Sequence, residues 1–256
     1  MGKEQSELAR RCTYPLFAVI DGKHGIDGSS VLLASAKKHY LITARHVGIE
    51  SGRTKLFGDS AGNPFGEFFI LPEEIDVTIV EVVIPTFFEN LGYDFLPIEL
   101  WGINHVLRHR EAEAHYLVAG YPYTKTPREV IGRKASPVPF GFWTRSYGEE
   151  EMHILGCNAL THLALRYIPG RLFDERNQVH RQAPQLEGMS GCGIWDTSGQ
   201  NPVLMGILTR KEPPEKPISL IGTRIDAVSE VIRETLDDSM PMSSRLGVSV
   251  KVAPRL

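Results

Sequence analysis

The chain is a series of short apolar runs, each closed by Gly, Pro, Asn or Asp. The runs are Leu16 to Ile20, Ser30 to Ala34, Tyr40 to Thr43, Glu67 to Leu71, Val77 to Ile84, Tyr116 to Gly120, Leu160 to Tyr167, and Val203 to Thr209. Several are rich in Val, Ile, Phe and Tyr, side chains that pack well on a pleated surface. Runs of this length and spacing predict an all-β sandwich or barrel rather than alternating βαβ units. One late segment has a helical period instead. From Asp226 to Leu236, Val228, Ile232 and Leu236 recur every four residues with Val231 and Thr235 beside them, which makes a single apolar stripe. Asp226 is placed to cap this helix, and Glu230 lies early in it, where the dipole favours a carboxylate. The stretch from Trp101 to His115 reads as a link between two halves, with Glu111 to Ala114 forming a helical turn. The expected organisation is one unit over residues 15–100, a second over 113–236, and tails at 1–14 and 239–256.

With 256 residues, 42% hydrophobic and 23% charged, the chain has globular composition and enough length for one large domain or two small ones. Its formal net charge of -3 gives it neither a basic surface for nucleic acid nor a strongly acidic one. Three cysteines, Cys12, Cys157 and Cys192, form no CxxC pair, which argues against a disulfide framework and a cysteine zinc site. The first residues are polar and lack the apolar core of a signal peptide, and no run of about 18 apolar residues is present to span a membrane. A cytoplasmic protein with no nucleic-acid or membrane partner is the simplest expectation. No phosphate loop, dinucleotide fingerprint or HExxH zinc motif occurs, so no cofactor or metal is expected.

Candidate chemistry begins at Glu187-Gly188-Met189-Ser190-Gly191-Cys192-Gly193-Ile194-Trp195. One hydroxyl stands among three glycines, so the backbone is free to turn sharply and to aim successive N–H groups at one point. Serine is a weak nucleophile near neutral pH and needs a base, which in turn needs a third group to fix its tautomer. His46 follows the run Tyr40-Leu41-Ile42-Thr43, and Asp76 precedes Val77-Thr78-Ile79-Val80, so both are expected at strand margins. Each residue alone has a plainer reading. The chain holds nine histidines, and His24, His39 and His153 read as surface or packing residues. Glu73, Glu74 and Asp94 are rival acids, and a serine in a glycine turn is often only geometry. Cys192 is intrinsically the better nucleophile but stands two residues past Ser190, and Cys12 and Cys157 read as buried small hydrophobes.

Taken together, these segments resemble the trypsin-like, chymotrypsin-fold serine peptidases, in the style of the compact bacterial and HtrA-like members without a PDZ domain. Leu41-Ile42-Thr43-Ala44-Arg45-His46-Val47 is similar to their histidine motif, Ile75-Asp76-Val77-Thr78-Ile79-Val80 to the aspartate motif, and Gly188-Met189-Ser190-Gly191-Cys192-Gly193 to the serine motif. Leu204 to Leu208 resembles the strand that lines the substrate cleft, Tyr116 to Pro122 the strand entering the second barrel, and the late helix the family's terminal helix. The resemblance runs from about Pro15 to Leu236. It implies two six-stranded antiparallel β-barrels with a C-terminal α-helix. It also implies an endopeptidase acting on a polypeptide through an acyl-enzyme. Ser190 is then the nucleophile, His46 the base and Asp76 its orienter. Gly188, Met189 and Ser190 would form the oxyanion hole. Pro184, Gly206, Thr209, Arg210 and Lys211 would line the substrate site.

The sequence also departs from the pattern. Met189 stands where an Asp or Asn is usual, which removes the ion pair used for activation by N-terminal cleavage. Cys192 and Gly193 replace a glycine and a proline, and Arg45 replaces a small residue. No acid stands near Pro184 to favour basic substrates, while Arg210 and Lys211 suit acidic ones or block the cleft. These substitutions motivate two further expectations: an enzyme latent until a protein partner activates it, and a non-catalytic protein-binding module on the same fold.

Overall fold

The computed structural model describes residues 3–20, 23–49, 64–104, 114–123, 137, 139–168, 172–174, 179–181, 185–211, 218–237 and 240. The protein is predominantly β, with two largely antiparallel sheets and short helices. The first sheet contains β1 (Thr13–Ile20), β2 (Lys23–Ala34), β3 (His39–Ala44), β4 (Phe65–Ile70) and β5 (Val77–Val82), in the order β1-β2-β3-β5-β4, with β6 (Leu96–Pro97) pairing parallel to β2. The second contains β7 (His115–Gly120), β8 (Phe140–Arg145), β9 (His162–Tyr167), β10 (Leu172–Asp174), β11 (Val179–Arg181), β12 (Gly193–Asp196), β13 (Val203–Lys211) and β14 (Ile218–Arg224). Its order is β11-β10-β8-β7-β12-β13-β14-β9. The second sheet curls partway towards closure: Ser146 bridges Leu165, and the Thr144 hydroxyl donates to Arg166 O. Against the expected six strands apiece, the second sheet carries eight, because the β10–β11 hairpin extends it beyond β8.

The apolar runs of β3 and β7 are continuous because both faces of these strands are buried. On β7, Leu117 and Ala119 enter one core and Tyr116 and Val118 another. On β3, Tyr40 and Ile42 enter the first of these cores while Leu41 and Ala44 enter a third. The first core draws on both sheets and joins them. It holds Val31, Ile42 and Ile79 from one sheet and Leu117, Trp195 and Ile207 from the other. A strand buried on both faces loses the alternation of polar and apolar residues that a half-exposed strand shows.

Among the described residues five short α-helices decorate the sheets: α1 (Lys3–Arg11), α2 (Arg45–Ile49), α3 (Pro85–Asn90), α4 (Glu149–Ile154) and α5 (Ile225–Thr235). The stripe expected in α5 is present, with Val228, Val231 and Ile232 buried in the core that joins the sheets. The N-terminal residues expected as a tail form α1, which buries Ala9 in that same core. Its other residues are mostly polar, so nothing in the hydrophobic pattern announces it. Glu111, Ala112 and Glu113, read as a helical turn, lie outside the described residues. All three cysteines are buried and free, and burial pushes the Cys12 thiol up to about 12. No described helix is long and apolar enough to cross a membrane.

Asp226 is used differently from the simple cap expected of it. Arg224, at the N-cap position, and Asp226 are both fully buried and form a bidentate pair, Nη2–Oδ2 2.8 Å and Nε–Oδ1 3.1 Å. Arg224 Nη1 also donates to Ala159 O at 2.6 Å, which ties the start of α5 to the loop before β9. Asp226 Oδ1 still accepts the Ala227 N–H, so part of the capping role survives. Removing one member of a buried pair strands the other charge in a low dielectric. Asp226→Ala is therefore expected to lower the unfolding free energy by about 3–5 kcal/mol in urea titrations, and a loss below about 1 kcal/mol would show that this pair does not hold the helix.

Candidate active site

Strand register brings the first two candidate residues together. Ala44 at the end of β3 pairs with Val77 at the start of β5, so His46 and Asp76 leave adjacent strands at the same end of the sheet. Their side chains meet, His46 Nδ1 lying 3.3 Å from Asp76 Oδ2. A carboxylate oxygen only accepts, so Nδ1 carries the proton and Nε2 is left as the basic nitrogen. The Asp76 carboxylate is partly sheltered, its side chain 19% exposed against 37% for His46. The rival acids are otherwise engaged or turned away. Asp94 pairs with Arg11, Glu73 is almost fully exposed 3.9 Å from Arg45, and Glu74 contributes a backbone carbonyl. His39 stacks edge-on with Phe95 and His153 is exposed, as packing and surface residues do.

The backbone at Asp76 is unusual. With φ +48 it has the one positive φ found among described residues other than glycine. Asp tolerates this left-handed region better than most residues, but it persists only where surrounding contacts enforce it. Those contacts are on hand. The Arg45 N–H donates to Asp76 O at 2.9 Å, and the N–H groups of Ile75 and Asp76 both donate to Pro72 O. From the second sheet, His162 Nε2 donates to Glu74 O at 2.8 Å, and the Thr223 hydroxyl donates to Ile75 O. His162 is held below its ordinary pKa, chiefly by burial, with the Arg210 charge acting in the same direction. It is therefore a neutral donor whose Nδ1 accepts from the Thr161 hydroxyl, 3.1 Å away.

The Ser190 turn rests directly on the strand ends that carry His46. Gly191 has φ +88, and a Cβ added to it would lie 2.0 Å from Ser29 O and 3.0 Å from Ala44 N. Only glycine fits there, both for its φ and for this approach. Ala44 is two residues before His46, so the serine turn and the histidine turn share one wall. Ser29 organises the contact. Its N–H donates to Ser190 O at 2.8 Å, its hydroxyl donates to Gly188 O at 2.7 Å, and it accepts the Tyr121 N–H at 2.9 Å.

Peptide orientation in the turn follows from these bonds. Glu187 O accepts from Tyr123 N–H and Met189 O from Cys192 N–H. In a planar trans peptide the N–H points opposite to its C=O. The Gly188 and Ser190 N–H groups therefore point away from those partners, and among the described residues neither has an acceptor. The Met189 N–H differs: it donates to Leu186 O at 2.9 Å. The Met189 side chain is fully buried in the second-sheet core, so an apolar anchor stands where an ion pair was the usual device. Cys192 also packs inward; burial pushes its thiol far up, which leaves it protonated and unreactive.

Of the residues expected to line the substrate site, Gly206, Thr209, Arg210 and Lys211 all lie on β13. Leu208 meets the serine turn, exchanging bonds with Gly191 and Cys192. Gly206 lies inside the sheet opposite Ile194 and Arg224. Thr209 is buried, its hydroxyl donating to Ile221 O. Arg210 is half-buried and close enough to His162 to act on it. Lys211 pairs through its backbone with Leu220, and Pro184 lies outside the described residues. Among the described residues no group of three His, Cys, Asp or Glu is placed to hold a metal. A scan of the sequence against protein-family models finds no match, and a search of curated proteins finds none either.

Ser29→Ala tests the joint between the sheets. It orphans a buried carbonyl and a buried N–H, at about 1–3 kcal/mol each, so a loss of about 2–6 kcal/mol is expected in denaturant titrations. A variant as stable as the parent would show that the turn is held by other means.

Proposed function

We propose that the protein is a serine endopeptidase with a Ser190-His46-Asp76 triad, built on a chymotrypsin-like double barrel. The observation that carries the reading is the shared wall. Gly191, the residue after Ser190, packs against Ala44, two residues before a histidine whose Nδ1 faces a sheltered carboxylate. In this reading Ser190 Oγ attacks the scissile carbonyl of a polypeptide and His46 Nε2 takes its proton. His46 then delivers that proton to the leaving amine. Asp76 holds the Nδ1–H tautomer and stabilises the imidazolium. The Gly188 and Ser190 N–H groups, which lack acceptors among the described residues, are the donors for the developing oxyanion.

Three free, buried cysteines fit a reducing compartment such as the cytoplasm. The inward packing of Met189 and Cys192 speaks against a crowded turn, one of the two grounds for a purely binding role, the other being a cleft blocked by Arg210 and Lys211. It supports instead a turn that is ordered without a cleaved N-terminus.

A fluorophosphonate probe is expected to label the purified protein, with labelling abolished in Ser190→Ala and strongly reduced in His46→Ala. On a labelled casein substrate, Asp76→Asn is expected to lower turnover by about 10⁴-fold. Labelling that persists in Ser190→Ala, or none in the parent protein, would overturn the assignment.

A further inference from the structure

Asp76 can serve His46 only if its carboxylate points the right way, and its backbone sits in a conformation that does not hold itself. The two carbonyls immediately before it, Glu74 O and Ile75 O, are both bonded by the other sheet, through His162 on β9 and Thr223 on β14. His162 and Thr223 are opposite one another in the β9–β14 ladder, so the two donors form one rigid pair. Both are buried, as is the Ile75 side chain between them and the core. The third carbonyl, Asp76 O, is bonded by Arg45, the neighbour of His46. The three carbonyls from Glu74 to Asp76 thus each have a donor, and this end of the turn has little freedom left to reorient.

We propose that His162 and Thr223 are positioning residues, whose hydrogen bonds from the second sheet to Glu74 O and Ile75 O set the turn that aims the Asp76 carboxylate at His46. This rests on the triad reading for its consequence in turnover, but the geometric claim stands on its own. The charged groups that act on His162 are Arg210 and Asp76. Neither replaces the neutral Nε2–H that Glu74 O requires.

The test separates position from chemistry. In the ¹⁵N-labelled full chain, the His46 ring is titrated by NMR in the parent, in His162→Leu, in His162→Gln and in Thr223→Val. Loss of an aimed carboxylate removes a favourable neighbour of the imidazolium, so the His46 midpoint is expected to fall by about one pH unit in His162→Leu and in Thr223→Val. Gln places an N–H near where Nε2 stood, and His162→Gln is expected to restore the parent midpoint. On substrate, the two disruptive variants are expected to lose about ten- to a hundredfold in kcat with KM within about twofold. Should His162→Leu fail to fold, Thr223→Val decides, because it removes a hydroxyl at nearly constant volume. An unchanged His46 midpoint in the folded variants overturns the proposal, even where fluorophosphonate labelling upholds the enzyme. Absence of labelling overturns the enzyme reading and leaves the NMR result to judge the positioning.

Discussion

Ser29 is the joint on which the arrangement depends. Through its N–H, hydroxyl and carbonyl it touches Ser190, Gly188, Tyr121 and Thr43, which spans both sheets and the serine turn. Ser29, Thr43, Gly188 and Tyr121 are buried, so little water is at hand to replace a lost partner. A fully satisfied polar network in a dry interior fixes one geometry and makes every alternative expensive. The close approach that Gly191 permits is possible because this network removes the need for solvent between the turn and the strand.

Around that joint, ordinary sheet mechanics do the rest. Antiparallel register delivers His46 and Asp76 to the same end of one sheet, and the start of β12 delivers Ser190 to the facing end of the other. The two sheets share a single apolar core, so the relative position of these ends is set by packing of Trp195, Ile207, Ile42 and their neighbours. A close-packed core of this kind does not deform continuously, and it holds the ends in one relation.

What could be seen in the sequence divides along a physical line. The strands that bury both faces were visible as apolar runs, and the α5 stripe as a helical period. β8, β12 and β14 were not anticipated; each is short or interrupted by Gly, Thr or Ser. α1 was missed because few of its residues face the core. His46, Asp76 and Ser190 stood out because each sits in a local pattern. Ser29, His162 and Thr223 did not, because the side chain of each acts on a backbone carbonyl 159, 88 and 148 residues away. Any residue type can offer such a carbonyl, so the sequence around it carries no trace of the contact. For Arg210 the sequence suggests the substrate cleft, and the fold adds that its charge reaches His162.

Thr223 lies on β14, the last of the described strands, and it completes a turn that begins near residue 72. During synthesis the first sheet emerges long before β14 exists, so its Asp76 turn waits without its outer donors. Contacts of such sequence separation form late, after loop closure has been paid for. A ribosome-bound fragment can therefore carry His46, Asp76 and even Ser190 without carrying the finished arrangement. The order of the chain itself delays completion of the candidate site until β14 has been made.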